Sequence, residues 1–168
     1  MAAVQDIPEG FEPAPTGLGF TDVLQPFFRR VMGEEVSFGF RVDQQHLNMM
    51  GICHGGVLMT LADIAAAAGI SRARGQFAGT PTINLSLDFM SPGKPGDWVQ
   101  ADIGEVTIKR RFGFSSGLIV NERGIVARFN GTFYLPEHEG GLAGGEEVLW
   151  CAGVSLRADL RDSAQGGW

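Results

Sequence analysis

Residues 54–74 read HGGVLMTLADIAAAAGISRAR. Apolar side chains fall nearly all the way round a 3.6-residue turn here, which predicts a helix buried on most sides at the centre of the fold. Working downstream, Ile83, Leu85, Leu87 and Phe89 alternate with Thr82, Asn84, Ser86 and Asp88, so Thr82–Met90 is predicted to be a strand with one buried face. Ser91-Pro92-Gly93-Lys94-Pro95-Gly96 then forces a turn. Trp98–Ile108 alternates with a slip of phase near Gly104, as a bulge would produce. Phe112–Val120 and Ile125–Phe133 are two further strands around the hairpin turn Asn121-Glu122-Arg123-Gly124. Upstream, Val36, Phe38, Phe40 and Val42 mark a strand over Glu35–Val42, and apolar positions 20, 23, 24, 27, 28 and 31 predict a helix over Phe20–Met32 despite Pro26.

These elements predict one α+β domain over residues 18–136, a curled antiparallel β-sheet wrapped around one long central α-helix. An irregular N-terminal arm (1–17) precedes it. A glycine-rich, poorly ordered C-terminal tail (137–168) follows, with a short helix around Ser155–Ala164. No internal repeat is present at a solenoid period.

Composition narrows the function classes. The chain has 168 residues, a formal net charge of -6 and 19% charged residues, and no basic run longer than Lys109-Arg110-Arg111, which argues against nucleic acid as a partner. Two cysteines, Cys53 and Cys151, lack the spacing of a metal site, so neither a disulfide scaffold nor a metal centre is expected. The acidic, proline-rich start and the shortness of the unbroken apolar stretches predict a cytoplasmic protein without a membrane partner.

Asp63 is the residue that composition does not explain. It sits among Leu61, Ala62, Ile64 and Ala65–Ala68, and a buried carboxylate needs either a hydrogen-bonded structural partner or a functional reason. At the start of the same helix, His54-Gly55-Gly56 combines free backbone N–H groups with the positive end of the helix dipole. The glycines let a carbonyl come close to the main chain, as stabilising an oxyanion requires, although a tight turn uses glycine as well. Asn48 offers an amide to the same spot or ends an ordinary turn. His54 is read as holding the loop more than as a general base. Cys53 beside His54 makes a poor Cys–His pair because adjacent residues seldom face each other. Ser86 and Ser91 lack a GxSxG setting, and nucleotide fingerprints are absent.

Asn48-x-x-Gly51-x-x-His54-Gly55-Gly56, with Asp63 seven residues further on and the strand from Thr82, resembles the hotdog-fold acyl-CoA thioesterases of the phenylacetate-degradation (PaaI-like) group over roughly residues 34–135. The resemblance implies hydrolysis of an acyl-CoA thioester to a carboxylic acid and coenzyme A without a cofactor. Asp63 would be nucleophile or general base, the Gly55 N–H would polarise the thioester carbonyl with Gly56 beside it, Asn48 and Thr82 would place the carbonyl or the water, and His54 would hold the loop. It also implies a homodimer or a dimer of dimers.

Coenzyme A carries phosphates, and Arg110 and Arg111 at a strand junction are the first choice to meet them, ahead of Arg72 and Arg74 at the end of the helix. Two rival readings share the fold: a hydratase or dehydratase of enoyl or hydroxyacyl thioesters, and a non-catalytic acyl-CoA-binding protein.

Overall fold

The structure, a computed structural model, describes residues 7–17, 19–75 and 79–137. Seven strands and one α-helix follow in chain order. They are β1 (Glu12–Pro13), β2 (Phe27–Met32), β3 (Glu35–Arg41), α1 (Gly55–Arg74), β4 (Thr82–Phe89), β5 (Trp98–Lys109), β6 (Phe112–Asn121) and β7 (Gly124–Tyr134). All neighbours pair antiparallel in the order β1-β2-β3-β5-β6-β7-β4.

Helix α1 is a rod of about 30 Å, from 20 residues at 1.5 Å each. His54 caps its start and Gly75, at φ 61°, ends it in the left-handed conformation. Leu58, Leu61, Ala65 and Ile70 are buried against the phenylalanine-rich inner face of the sheet, with Phe38, Phe40, Phe129 and Phe133. Small residues allow this close approach. A Cβ at Gly113 of β6 would lie 2.9 Å from Ile70, so only glycine lets the helix settle there. The phase slip predicted near Gly104 is a register shift between Ile103 and Val106 in the β5–β6 pair.

Three expectations need correction. The sheet is not curled around the helix. It is open, β1 and β4 are unclosed edges, and α1 lies across one face. The helix predicted over Phe20–Met32 is instead a short 3-10 turn, Gly19–Leu24, followed by β2. Pro26, which lacks the donor a helix needs, separates the two. The buried face of β4 is only partly formed: Leu85 and Leu87 are half-buried, whereas Ile83 and Phe89 are 55% and 54% exposed. Helix α1 has the length and apolar composition of a bilayer-crossing helix, and half of that stretch is buried inside the fold. Within the predicted irregular arm, Glu12–Pro13 pairs with β2, and Glu12 holds the buried Arg29 at 2.8 Å. The helix proposed around Ser155–Ala164 lies outside the described residues, as does the tail beyond Glu137.

Candidate active site

The loop before α1 is a tight hairpin built on its own polar atoms. Asn48 Oδ1 accepts from the amides of Met50 (2.9 Å) and Ile52 (3.4 Å), and Gly51 takes φ 73°, open to glycine at no steric cost. The hairpin closes through the Asn48 N–H to Ile52 carbonyl bond and the Leu47–Cys53 bridge. Its base is tied down twice, by His54 N donating to the His46 carbonyl and Cys53 N to the Gly93 carbonyl, each at 2.8 Å.

This anchoring decides which helix-start amide is available. His54 Nδ1 accepts from Gly56 N at 2.9 Å, and its carbonyl accepts from Val57 N at 3.0 Å and Leu58 N at 3.3 Å. Gly55 N–H is left, and it makes no hydrogen bond to another described residue. It therefore remains available as a donor at the positive end of the helix dipole. Gly55 also lines an open cleft of about 420 Å³ with Asn48, Ile52, Leu58, Phe89 and Met90. With its oxygen committed to the loop, Asn48 has only its NH₂ end to offer the cleft.

Asp63 occupies the least buried stripe of α1, in line with Gly56 and Met59 at helical spacing. It is partly buried, in contrast to the full burial expected from its apolar neighbours in sequence. Thr82, at the start of β4, donates its hydroxyl to Asp63 Oδ1 at 2.7 Å. This bond satisfies one carboxylate oxygen and fixes the side chain's direction.

The candidate residues thus form two groups, Asn48, His54, Gly55 and Gly56 at the helix start, and Asp63 with Thr82 two turns on. Eight residues of helix separate Gly55 from Asp63, about 12 Å along the axis. Neither Asp63 nor Thr82 lines the cleft at Gly55.

A second cleft of about 560 Å³ lies at the other end of α1, lined by Arg74, Arg110, Arg111, Phe112, Leu135, Pro136 and Glu137. Arg111 forms an ion pair with Glu137 at 2.5 Å, which raises the guanidinium pKa further. Arg74 donates to the Pro136 carbonyl at 3.3 Å. Arg110, in a left-handed turn at φ 53°, makes no hydrogen bond or ion pair with another described residue. Arg72 is turned to the β2–β3 hairpin and donates to the Gly33 and Glu34 carbonyls, away from this cleft.

The thioesterase superfamily pattern matches residues 50–127, a span that takes in the glycine pair, Asp63 and Thr82. A candidate esterase of Pseudomonas aeruginosa is 31% identical over 134 residues, which cover 79% of this chain and 100% of that protein. The chain belongs to the hotdog thioesterase superfamily. Among solved structures, a variant of the phenylacetic acid degradation protein PaaI from Thermus thermophilus superposes with a TM-score of 0.61 at 30% identity, covering 70% of this chain and 98% of that one. The PaaI protein of the E. coli phenylacetic acid degradation operon gives 0.58 at 30% identity, covering 64% and 82%. This hotdog thioesterase is thus closely related to the PaaI-like enzymes, and its activity is of the general thioesterase, hydrolase type.

Three features of the hotdog site were not visible in its sequence. His46 is buried beneath the loop, where its Nδ1 accepts from Asp43 N at 3.0 Å and its ring packs 4.5 Å from Phe40. Burial holds its pKa below the ordinary histidine value, against the raising effect of Asp43. A short-range signal existed, since Asp43 and His46 stand three apart as a capping box does. Cys53 is also buried, and burial followed by the nearby Asp97 charge pushes its thiol up to about 12, so it is no nucleophile at neutral pH. Phe89 reaches Gly55 from a different element, a contact no sequence spacing announces.

Proposed function

We propose that this protein hydrolyses an acyl-CoA thioester to the free carboxylic acid and coenzyme A. The observation that carries the reading is the Gly55 amide at a helix start, which has no hydrogen-bond partner among the described residues and belongs to a largely apolar cleft with no charged side chain among its described lining residues. A thioester carbonyl placed there gains a hydrogen-bond donor and a dipole that strengthen as negative charge develops on its oxygen. Asn48 NH₂ supplies a second donor, Gly56 leaves room for the His54 ring that caps the helix, and His54 fixes the turn that presents Gly55.

Asp63, oriented by Thr82, either takes a proton from water or attacks the carbonyl itself. In the first route water forms the new C–O bond, and collapse of the tetrahedral intermediate breaks the C–S bond and expels the coenzyme A thiolate, which takes the proton that Asp63 removed. In the second the thiolate leaves first, giving a mixed anhydride with Asp63 that water then hydrolyses.

A single chain does not assemble this machinery, because about 12 Å of rigid helix separates Gly55 from Asp63 and a carboxylate side chain is far too short to close that gap. Two copies related by a two-fold axis would place the Asp63 of one beside the Gly55 of the other, giving two sites per homodimer. The exposed apolar residues Ile83, Phe89 and Met90 on and beside the free edge strand β4 support pairing there.

The arginine cleft fits the coenzyme A phosphates. Asp63 precedes Arg74 by eleven residues, about 16 Å along α1, on the order of an extended pantetheine arm. The thioester would then lie at Asp63 and the nucleotide at Arg110 of the same chain, with the acyl group in the partner's cleft.

The test mixes Asp63→Ala and Gly55→Pro chains, each expected to keep about a hundredth of wild-type turnover or less alone, and unfolds and reassembles them. Half of randomly paired dimers are mixed, and each mixed dimer holds one site with both groups intact. Recovery of roughly a quarter of wild-type thiol release is expected. No recovery from mixed dimers verified by mass would reject the shared site.

A further inference from the structure

The cleft beside Gly55 has one wall that the core does not require. Leu58 and Cys53 are buried at 3% and 5% exposure and form its floor, whereas Phe89 remains 54% and Met90 60% exposed. A Cβ built on Gly55 would lie 3.2 Å from Phe89 Cζ, so the tip of the ring already touches the glycine whose amide is free. An acyl chain leaving a carbonyl held at that amide must run alongside the ring.

The backbone under Phe89 does not yield easily. Phe89 pairs with Ala127 in the β4–β7 ladder, Met90 N donates to the Val126 carbonyl at 2.8 Å, and Ser91 Oγ donates to the Ile125 carbonyl at 2.6 Å. On the far side, Gly93 accepts from Cys53 N and ties this turn to the base of the Asn48 loop. Met90 is unbranched and adapts to its neighbours, but a planar ring on a pinned strand end does not.

We propose that Phe89 is the residue that sets acyl length in this cleft, which takes a neutral, apolar acyl group and rejects one with a terminal charge. The proposal rests on the thioesterase reading for the position of the carbonyl. Acyl groups that end before the ring's far edge bind without disturbing it, and longer ones must displace it. One methylene beyond the limit of an apolar pocket changes specificity by roughly tenfold or more. A terminal carboxylate would meet no cation among the described residues that line the cleft and so would be left unpaired there.

The experiment measures kcat/KM for straight-chain acyl-CoAs of rising length with wild type, Phe89→Ala and Phe89→Met, and in parallel measures the affinity of non-hydrolysable 2-oxoalkyl-CoA thioethers by calorimetry. Phe114→Ala, an exposed phenylalanine on the outer face of β6, serves as the control. Wild type should show a break in its profile. Phe89→Ala should move that break to longer chains and raise kcat/KM for the first acyl group beyond it at least tenfold relative to the shortest one. Phe89→Met should soften the break, Phe114→Ala should leave it in place, and an acyl group with a terminal carboxylate should be rejected throughout.

Parallel profiles for wild type and Phe89→Ala would overturn the proposal while leaving hydrolysis established. A shifted thioether affinity profile without hydrolysis by wild type would instead uphold Phe89 and reject the thioesterase reading. Absence of both hydrolysis and thioether binding would overturn both.

Discussion

Among the described residues, helix α1 brings to its N-terminal end an unpartnered backbone amide and a largely apolar cleft with no charged lining residue, whereas from its middle onward it presents a carboxylate and then a cleft lined by three arginines. The first region is rigid because the loop bonds to itself and to the helix: Asn48, His54 and Gly51 all serve the turn. The second is assembled from distant segments, with Thr82 reaching Asp63 across 19 residues and Glu137 reaching Arg111 across 26. One end can stabilise negative charge and the other can supply a base, and a straight rod keeps them apart. Under the proposed mechanism, chemistry that needs both would draw on a pair of chains, and each end can be disabled separately.

The largest effect should come from the acidic end. Asp63→Asn keeps an oxygen to accept the Thr82 hydroxyl, so the fold and the melting temperature should hold. It cannot take a proton or act as a nucleophile. Steady-state thiol release should fall by about 10²- to 10⁴-fold in kcat, with coenzyme A affinity by calorimetry nearly unchanged. If instead turnover at saturation persists and only affinity falls, Asp63 binds substrate and the proposed division of labour fails.

The amide end should respond next. Gly55 is the first residue of α1, a position that tolerates proline, and His54 before it already has the extended ψ of 135° that a following proline favours. A new ring would meet Phe89 Cζ at 3.2 Å, a closeness relieved by a shift of a few tenths of an ångström at the ring tip without moving the strand beneath it. Gly55→Pro thus deletes one donor with little other change, and kcat should drop by roughly a hundredfold to a thousandfold while circular dichroism is preserved. An unchanged kcat would return Gly55 to a purely turn-forming role and leave the cleft without its oxyanion donor.

The same contrast explains what the sequence disclosed. The N-terminal region was legible because its determinants are local: Asn48, Gly51, His54, Gly55 and Gly56 lie within nine residues, and glycine and asparagine announce a turn by their own conformational preferences. Helix α1 and the β5–β7 hairpins were legible for the same reason, through strong periodicity and short turns. Phe20–Met32 misled because its apolar spacing imitates a helix, and the proline that contradicts it was outweighed. Closure of the sheet depends on whether the two edge strands meet, which no local pattern encodes. The exposure of Asp63 was hidden too, since alanine and glycine read as apolar on any face, and the open stripe of α1 is made partly of such residues.

The smallest effect tests the arginine cleft, where sequence offered Arg110 and Arg111 as equals and the structure separates them. Arg111 is already engaged by Glu137 through two contacts, at 2.5 Å and 2.7 Å, so a phosphate must displace a carboxylate to reach it. Arg110 is held in a left-handed turn and has no such competitor among the described residues. Both lie on an open surface, where salt screens the field and ion pairs contribute little. Arg110→Ala should therefore raise KM for acyl-CoA by roughly two- to fivefold, with kcat unchanged, while Arg111→Ala changes it less. An acyl-pantetheine thioester, which lacks the nucleotide, should show neither effect, and added salt should reproduce the Arg110→Ala result on wild type. Glu137→Gln provides the sharper comparison, because removing the competing charge frees Arg111 and should lower KM for acyl-CoA alone. Equal shifts for both substrates would place the arginines outside nucleotide binding, and the stretch of α1 from Asp63 onward would then hold only the acid.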